Sequence, residues 1–430
     1  MQVNFLHRGR SIAHVRKVEQ ESPSPIIHCI QKQLLLLSPI TIIDARRTAM
    51  EADFYSSHRQ GLTLEIPTGL TRGWTRLDTI DMHTGGEPLR VILGNTLPLE
   101  GDSVLAKRRF AQRHLDHLRR RLMWEPRGHR DMYGAIVIPP NDAGAHFGAL
   151  FLHNEGFSTM CGHAVIALAK LAVELGWVER ENFDADVSVT EAPAREVPVT
   201  IDAPCGRIHA FAKVDECGRV TSTRFQCVPS FVTARGQTID VPGLGKIQYD
   251  IAYGGAFYAY VDAAQLPFTL EPANTEQIIR AGRAIKSALL KDGPPVRHPA
   301  ESDLGFLYGT IFMDMEALRN PPGTQGKSAS SLRSRNVCVF ADGELDRSPT
   351  GSGVSGRMAL HLDQGLISEQ QTLIAESISG SCFLGKTVQR LEYAGIPAVV
   401  PEITGTAYIT GKNHFYIDPD DPLKDGFLLG

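Results

Sequence analysis

The chain has 430 residues, of which 42% are hydrophobic and 21% charged, which is ordinary for a globular protein with a large core and more than one domain. Its net charge of −4 favours no nucleic-acid partner, and its longest apolar run, residues 34–43, is too short to cross a bilayer. The seven cysteines are scattered and form no CxxC pair, which favours reduced thiols and argues against a disulfide framework or a structural zinc.

The first 73 residues differ from the rest. Residues 1–50 carry seven Lys/Arg and three Asp/Glu, with no acid before Glu19. A basic, acid-poor stretch is typical of a mitochondrial presequence; a poorly ordered extension is the alternative, because the arginine spacing forms no clean amphipathic helix. We predict an N-terminal extension over 1–73, disordered or targeting. The expected location is cytoplasmic, with a mitochondrial one as the alternative.

From about residue 74 the pattern alternates between strands and helices. Strands are predicted over 77–82 and 89–93, on either side of Gly85-Gly86, a pair that tolerates the positive φ of a tight turn. The elements that follow in this half are a helix over 103–122, strands over 134–139 and 148–153, a helix over 164–176, and strands over 187–189, 197–201 and 207–214.

The second half repeats this order. Gly254-Gly255 takes the place of Gly85-Gly86, and Thr350 precedes the last helix. The predicted elements are strands over 225–232 and 246–251, a helix over 272–288, a strand over 306–313, a loop over 319–333, a strand over 337–340 and a helix over 350–364. We therefore expect two similar α/β lobes with a ligand site between them. The first covers 74–205, with strands at about 404–425 returning to it, and the second covers 206–403.

A short motif occurs in both halves with its key residue changed. Residues 158–166 read STMCGHAVI and residues 346–357 read DRSPTGSGVSGR, so Cys161 and Thr350 each precede a glycine at a predicted helix start. Two such residues facing one substrate would form a two-base proton-transfer site, in which a hydroxyl here replaces one base. A buried structural cysteine is the alternative for Cys161.

The helix starts also predict an anion site. The free N–H groups of Gly162, His163 and Ala164 in one half suit a carboxylate, and those of Gly351, Ser352 and Gly353 would do the same in the other. Such a carboxylate would hold the substrate's Cα between the two key residues. A helix N-terminus lowers the pKa of a thiol, which a thiol base requires.

Three further polar residues have two interpretations each. His163 is either a ligand contact or a group that caps the helix or tunes the thiol. Asp346 is either a turn residue before Pro349 or the acceptor for a substrate ammonium. His83 is either a proton donor or a satisfied polar group.

Three stretches resemble the signature motifs of the proline racemase family: residues 81–88 (DMHTGGEP), 160–163 (MCGH) and 346–353 (DRSPTGSG). The resemblance covers roughly residues 74–425. It implies the diaminopimelate-epimerase-like fold, in which two pseudo-symmetric α/β lobes each place a curved sheet around a central helix. It also implies an enzyme without cofactor or metal, usually a homodimer. Its implied base is Cys161, and its implied contacts to a small imino acid are Gly162, His163, Asp346, Gly351 and Ser352.

The residue at position 350 narrows the activity that the resemblance implies. Racemases and 4-hydroxyproline epimerases of the family have Cys at both catalytic positions, whereas its dehydratases of trans-3-hydroxy-L-proline carry Thr at the second. A threonine hydroxyl is a poor acid and base, so Cys161 with Thr350 should racemise badly, but an elimination needs only one face of Cα. We expect a hydro-lyase that forms Δ1-pyrroline-2-carboxylate, with Cys161 taking the α-proton and Thr350 positioning the ring.

Three alternatives remain open. One is a proline racemase or hydroxyproline 2-epimerase, and a second is a non-catalytic protein that binds imino acids. The third is a cysteine hydrolase that pairs Cys161 with a histidine; it needs an oriented base and a third group that no spacing here indicates.

Overall fold

The computed structural model describes residues 66–94, 97–178, 195–319 and 330–429. The predicted extension (1–73) falls outside these ranges up to residue 65, and the predicted strand over 187–189 falls outside them entirely. Within the described ranges, no helix is long and apolar enough to cross a membrane.

The helices are α1 (Val104–His114), α2 (Asp116–Met123), α3 (Gly162–Glu174), α4 (Thr275–Asp292), α5 (Glu316–Arg319) and α6 (Gly351–Asp363), with 3-10 turns at Ala263–Gln265, Pro272–Asn274 and Ser302–Leu304. The strands are β1 (Thr75–Thr84), β2 (Glu87–Leu93), β3 (Gly134–Ile138), β4 (Phe147–Leu152), β5 (Phe157–Ser158), β6 (Arg195–Ala203), β7 (Gly206–Val214), β8 (Val220–Gln226), β9 (Ser230–Val241), β10 (Gly245–Tyr253), β11 (Phe257–Asp262), β12 (Leu307–Met313), β13 (Ser331–Phe340), β14 (Glu344–Leu345), β15 (Thr372–Glu376), β16 (Cys382–Tyr393), β17 (Ile396–Gly405) and β18 (Ala407–Ile417).

Two buried helices organise the strands. α3 is apolar on nearly every side and packs against β1, β2, β6, β7, β8, β17 and β18. α6 is equally buried and packs against β9, β10, β11, β16 and β17. A helix that is apolar all round must be enclosed, so a sheet curves around each one. Each half of the chain therefore places a central helix inside its strands.

The strands form one mixed sheet that joins the two halves. β18 pairs antiparallel with β1, from Thr75 opposite Ile417 to Thr84 opposite Ala407. β17 pairs with β16, β8 and β9, and so reaches strands that cover both central helices. β7 and β8 pack on α3, so the cover of α3 continues past residue 205. The division into lobes over 74–205 and 206–403 stays a prediction.

The two central helices meet at their first residues. A Cβ built on Gly162 would lie 2.5 Å from Cα of Gly351, and one built on Gly351 would lie 2.7 Å from Cα of Gly162. No side chain fits at either position, so glycine is what lets the backbones touch. The positive ends of both helix dipoles consequently point to one place.

Three predicted elements differ in the structure. The helix predicted over 103–122 is two helices, because Leu115 leaves the helical conformation between α1 and α2. The strand predicted over 225–232 is interrupted between β8 and β9, where Pro229 has no N–H to give to a ladder. The loop predicted over 319–333 ends early, because β13 begins at Ser331 and pairs with β15.

Candidate active site

A small cavity lies where α3 and α6 meet. Its volume is about 20 Å³, which is the space of roughly one water molecule. It is lined by Tyr133, Met160, Cys161, Gly162, His163, Tyr258, Tyr308, Phe340, Asp346, Thr350, Gly351 and Ser352. Seven of these twelve are the site residues predicted from the two motifs, so the fold brings together side chains that are far apart in the chain.

Cys161 is the N-cap of α3. Its Sγ accepts a hydrogen bond from the N–H of Ala164 at 3.4 Å, and its side chain is 4% exposed. Met160 and Gly162 flank it in the cavity wall. The thiol therefore faces the cavity with one hydrogen bond from the helix start already formed.

The pKa of Cys161 differs from the sequence-based expectation. Burial raises the pKa of the thiol well above its usual range, and the charge of Asp346 raises it further. The N–H of Ala164 and the hydroxyl of Tyr133 lower it. The N–H at the helix start thus lowers the pKa of the thiol, as predicted, but the effect of burial is larger. The thiol needs a nearby positive charge before it can act as a base.

His163 lies against the thiol. Its Nδ1 is 3.2 Å from Sγ of Cys161, and burial lowers the pKa of the ring to about 3, so the ring is neutral. The Pro88 backbone acts in the opposite direction and raises the pKa of the ring, but burial outweighs it. A neutral imidazole has one nitrogen that can accept a hydrogen bond from the thiol. This placement supports a thiol-tuning role for His163.

Thr350 and Asp346 form a hydrogen-bonded pair on the opposite wall. The Thr350 hydroxyl donates to Oδ2 of Asp346 at 2.7 Å, and the Ser348 N–H donates to Oδ1 at 2.7 Å. Burial raises the pKa of Asp346 to about 6. Thr350 has φ 62°, a left-handed conformation rare for a β-branched residue. Such strain occurs where surrounding structure holds a functional group in place.

The remaining predicted contacts belong to the two helix starts. Gly162, Gly351 and Ser352 line the cavity, and the Ser352 hydroxyl lies 2.8 Å from the hydroxyl of Tyr258. The first N–H groups of a helix have no partner within the helix. Two such helix starts beside one cavity suit a carboxylate.

His83 lies outside the cavity wall. Its Nδ1 accepts a hydrogen bond from the N–H of Gly86 at 3.3 Å, and its ring stacks on Tyr408 with centroids 5.2 Å apart. Both contacts lie at the β1–β2 turn. This placement fits the satisfied polar group better than the proton donor.

Four aromatic residues in the cavity wall had no sequence signal. Tyr133 precedes β3, Tyr258 lies in β11, Tyr308 in β12, and Phe340 ends β13. A tyrosine in an apolar strand is usually a core residue, so only the fold shows that the three tyrosine hydroxyls lie around one cavity. Within the described parts of the chain, no group of three or more His, Cys, Asp or Glu side chains could hold a metal ion.

Comparison with known proteins identifies the family. The proline racemase family model matches residues 79–428. The chain is 48% identical to the trans-3-hydroxy-L-proline dehydratase of Colwellia psychrerythraea (strain 34H), over 82% of this chain and 92% of that protein. It is 43% identical to the 3-hydroxyproline 2-epimerase of Burkholderia multivorans, over 82% of this chain and 98% of that protein.

A solved structure has the same fold. The hydroxyproline epimerase from Agrobacterium vitis, crystallised with bound trans-4-hydroxy-L-proline, superposes with a TM-score of 0.73. The two are 27% identical, and the match covers 83% of this chain and 96% of that one. The expected fold class, an α/β fold with a curved sheet around a central helix in each half, is confirmed. The chain belongs to the proline racemase family.

Proposed function

We propose that this protein dehydrates trans-3-hydroxy-L-proline to Δ1-pyrroline-2-carboxylate by abstraction of the α-proton, without a cofactor. The observation that carries the proposal is the asymmetry of the cavity. Its one thiol, among the described residues that line it, is Cys161, while the corresponding residue on α6 is Thr350. The Thr350 hydroxyl already donates a hydrogen bond to Asp346.

The cavity walls suit the two charges of an imino acid. The substrate carboxylate would bind between the starts of α3 and α6, where Gly162 and Gly351 meet. The ring ammonium would lie beside Asp346, whose two oxygens each accept one hydrogen bond and keep room for another. The Cα then lies between Cys161 and Thr350.

Substrate binding also supplies the charge that the thiol needs. An ammonium close to Sγ favours the thiolate over the thiol, opposing the effect of burial. The ring of His163, with a pKa of about 3, is too weak a base to hold the proton that leaves Sγ, so this proton goes to solvent before the cavity closes. Because the present cavity holds only about 20 Å³, its walls must move apart to admit the ring and close again around it.

The stereochemistry of the substrate fits a single base. In trans-3-hydroxy-L-proline the hydroxyl is trans to the carboxylate, so it lies on the same face of the ring as the α-hydrogen. Cys161 takes the α-proton from that face and the hydroxyl leaves from it. The resulting enamine tautomerises to the cyclic imine. Thr350 holds the other face and needs no proton transfer.

The relatives favour dehydration over epimerisation. Several that are 43–48% identical to this chain are named trans-3-hydroxy-L-proline dehydratases, and one that is 43% identical is named a 3-hydroxyproline 2-epimerase. Thr350 favours dehydration, because inversion at Cα requires a proton donor on its side.

The test is incubation of the purified protein with trans-3-hydroxy-L-proline, trans-4-hydroxy-L-proline and L-proline in deuterated water, followed by NMR. Loss of water from the 3-hydroxy substrate alone supports the proposal. Inversion of the 4-hydroxy compound or of proline would favour the epimerase, and tight binding without turnover would favour a binding protein. The Cys161→Ser variant should lose about 10²- to 10⁴-fold in rate, since the thiolate is absent.

We also propose an oligomeric state, from the family, and a cellular location, from the sequence. The protein forms a homodimer, as members of the family usually do, and it acts in the cytoplasm unless the first 73 residues direct it to mitochondria. Sedimentation at several concentrations tests the first. Localisation of the full chain and of a chain that begins at residue 74 tests the second.

A further inference from the structure

The proposed elimination requires an acid as well as a base. A hydroxyl leaves as water only after it receives a proton, and in this substrate it leaves on the face that Cys161 occupies. We propose that Tyr133 delivers this proton, a role that rests on the proposed dehydration. Tyr133 would then be the catalytic residue that separates water loss from simple α-proton exchange.

The position of Tyr133 is fixed by backbone and side-chain contacts. Its carbonyl accepts the N–H of Arg90 at 2.8 Å, which aligns the residue between β2 and β3. Its ring meets the ring of His163 edge-on, with centroids 4.8 Å apart, and the residue is 2% exposed. The ring therefore stands in the same wall as the thiol, with few rotamers open to it.

The phenol hydroxyl of Tyr133 belongs to a short chain of hydroxyls. It lies 2.6 Å from Oγ of Ser158 and 3.4 Å from the hydroxyl of Tyr308. The Ser158 hydroxyl can donate to the carbonyl of Met160 at 3.4 Å, which leaves its oxygen free to accept from Tyr133. The phenol proton can therefore turn towards a substrate oxygen, because the Ser158 hydroxyl keeps its hydrogen bond to the Met160 carbonyl.

Tyr133 has a proton to donate at neutral pH. Burial raises the pKa of its phenol well above the usual value, so it holds a proton at neutral pH. The same hydroxyl lowers the pKa of the Cys161 thiol, and phenol and thiol line the same small cavity. At about 20 Å³ this cavity has room for roughly one water molecule, so a proton can pass between phenol and thiol directly or through the departing water.

The other polar groups of the cavity are less suitable. The His163 ring, with a pKa of about 3, carries no acidic proton at neutral pH. The Tyr258 hydroxyl is paired with Ser352 on α6, on the side of Thr350, which faces the opposite side of the ring. Tyr133 is the phenol whose ring packs edge-on against His163, the residue that contacts Sγ of Cys161.

The protons balance over one turnover. The Cys161 thiolate takes the α-proton, the C–H electrons form the Cα–Cβ double bond, and the Cβ–O bond breaks. The departing oxygen takes the Tyr133 proton and leaves as water. The Tyr133 phenolate then takes the proton from Sγ of Cys161, so phenol and thiolate are both restored without any external proton donor.

The experiment compares the wild type with Tyr133→Phe in deuterated water. Dehydration of trans-3-hydroxy-L-proline should fall by about 10²- to 10⁴-fold, as expected for loss of a general acid. Deuterium exchange at Cα should fall much less, so the ratio of exchange to water loss rises. With trans-3-fluoro-L-proline, whose fluoride depends less on protonation to leave, the variant should recover most of the wild-type rate.

Tyr253→Phe is the matched control. Tyr253 is also buried, and among the described residues its hydroxyl has no hydrogen-bond partner, so its removal should leave both rates unchanged. If Tyr133→Phe lowers exchange and dehydration equally and the fluoro substrate restores nothing, Tyr133 is structural and the inference is overturned. If Tyr133→Phe dehydrates at the wild-type rate, the inference alone fails. If the wild type forms no pyrroline product, the proposed function fails with it.

Discussion

At the scale of single residues, Cys161 and Thr350 differ in the hydrogen bonds of their side chains. The Thr350 hydroxyl donates a hydrogen bond to the buried carboxyl group of Asp346 at 2.7 Å, so its proton points away from the substrate position. The Cys161 thiol lies 3.2 Å from the neutral imidazole of His163, which can accept a hydrogen bond but is too weak a base to hold a proton at neutral pH. The same helix-start position therefore supplies a base in one half and a positioning group in the other.

Thr350→Cys should introduce the missing second base. A thiol at position 350 can exchange protons on the face that Thr350 now blocks, so inversion of trans-4-hydroxy-L-proline should rise by at least about tenfold. Polarimetry or chiral chromatography measures it, and Thr350→Ala, which removes the hydroxyl without adding a thiol, is the control. Equal inversion by both variants would show that position 350 does not determine the reaction.

Asp346 should give the reaction an acid-side pH dependence. If its carboxylate binds the ring ammonium, Asp346→Asn should lower kcat/KM about 10- to 100-fold at neutral pH, the range of a charge-assisted hydrogen bond. The raised pKa of Asp346, about 6, means that the wild type loses this carboxylate as pH falls through 6.

The ratio of wild-type to Asp346→Asn kcat/KM should therefore be constant above about pH 7 and shrink below pH 6. A ratio that does not change between pH 5 and 8 would contradict the assignment of Asp346 as the ammonium partner.

At the scale of elements, the site depends on the contact between two helix starts. Gly162 and Gly351 touch through their backbones, which brings three predicted site residues from the first half and four from the second to one cavity. Neither helix start faces solvent, so their unpaired N–H groups are available to a bound anion. The positions of α3 and α6 relative to each other thus set the geometry of the reaction.

Gly162→Ala should separate the two helices. Its new Cβ would lie 2.5 Å from Cα of Gly351, a backbone atom that cannot move without displacing α6. We expect a loss of about 1–3 kcal/mol in stability and at least about 10²-fold in kcat. Thermal unfolding and steady-state kinetics measure the two effects.

Gly411→Ala in β18 is the control, since its Cβ would meet nothing closer than 3.7 Å. It should change neither quantity appreciably. Full activity in Gly162→Ala would show that the contact between the helices is not needed for catalysis.

At the scale of the whole molecule, the sequence predicted the motifs better than their surroundings. Cys161 and Thr350 could be found because each precedes a glycine at a helix start, a local signal. Tyr133 and Tyr308 could not, because their hydroxyls converge only through strand pairing. The sign of the Cys161 pKa shift was also beyond local reasoning, since burial is a property of the folded chain.

Glu87 shows how distant parts of the chain are tied together. It begins β2, it is fully buried, and its Oε2 accepts the N–H of Arg347 at 2.7 Å, across 260 positions of sequence. Oε1 has no partner among the described residues. Burial raises the pKa of Glu87 well above its usual value, so the group is most stable there in its neutral form.

This placement predicts a pH-dependent stability. In the unfolded chain Glu87 ionises near pH 4.5, whereas in the folded chain it keeps its proton to higher pH. The contribution of Glu87 to the free energy of unfolding is therefore fully present below pH 4.5. It is lost as pH rises towards the pKa of the folded chain, by at most about 1.4 kcal/mol per pH unit. Glu87→Gln cannot ionise, and its amide oxygen can still accept from Arg347. The melting temperature of this variant, relative to wild type, should rise between pH 5 and pH 8.

Glu376→Gln provides a control of opposite sign. Hydrogen bonds from Arg335 and Arg333 lower the pKa of Glu376, so its stabilisation is present above the unfolded pKa and is lost as pH falls. That variant should be destabilised most near pH 7 and least near pH 4. If Glu87→Gln instead melts below wild type by the same amount at every pH, its carboxyl group is held as an anion. The contact between the β1–β2 turn and the loop at Arg347 would then depend on charge rather than on a neutral buried acid.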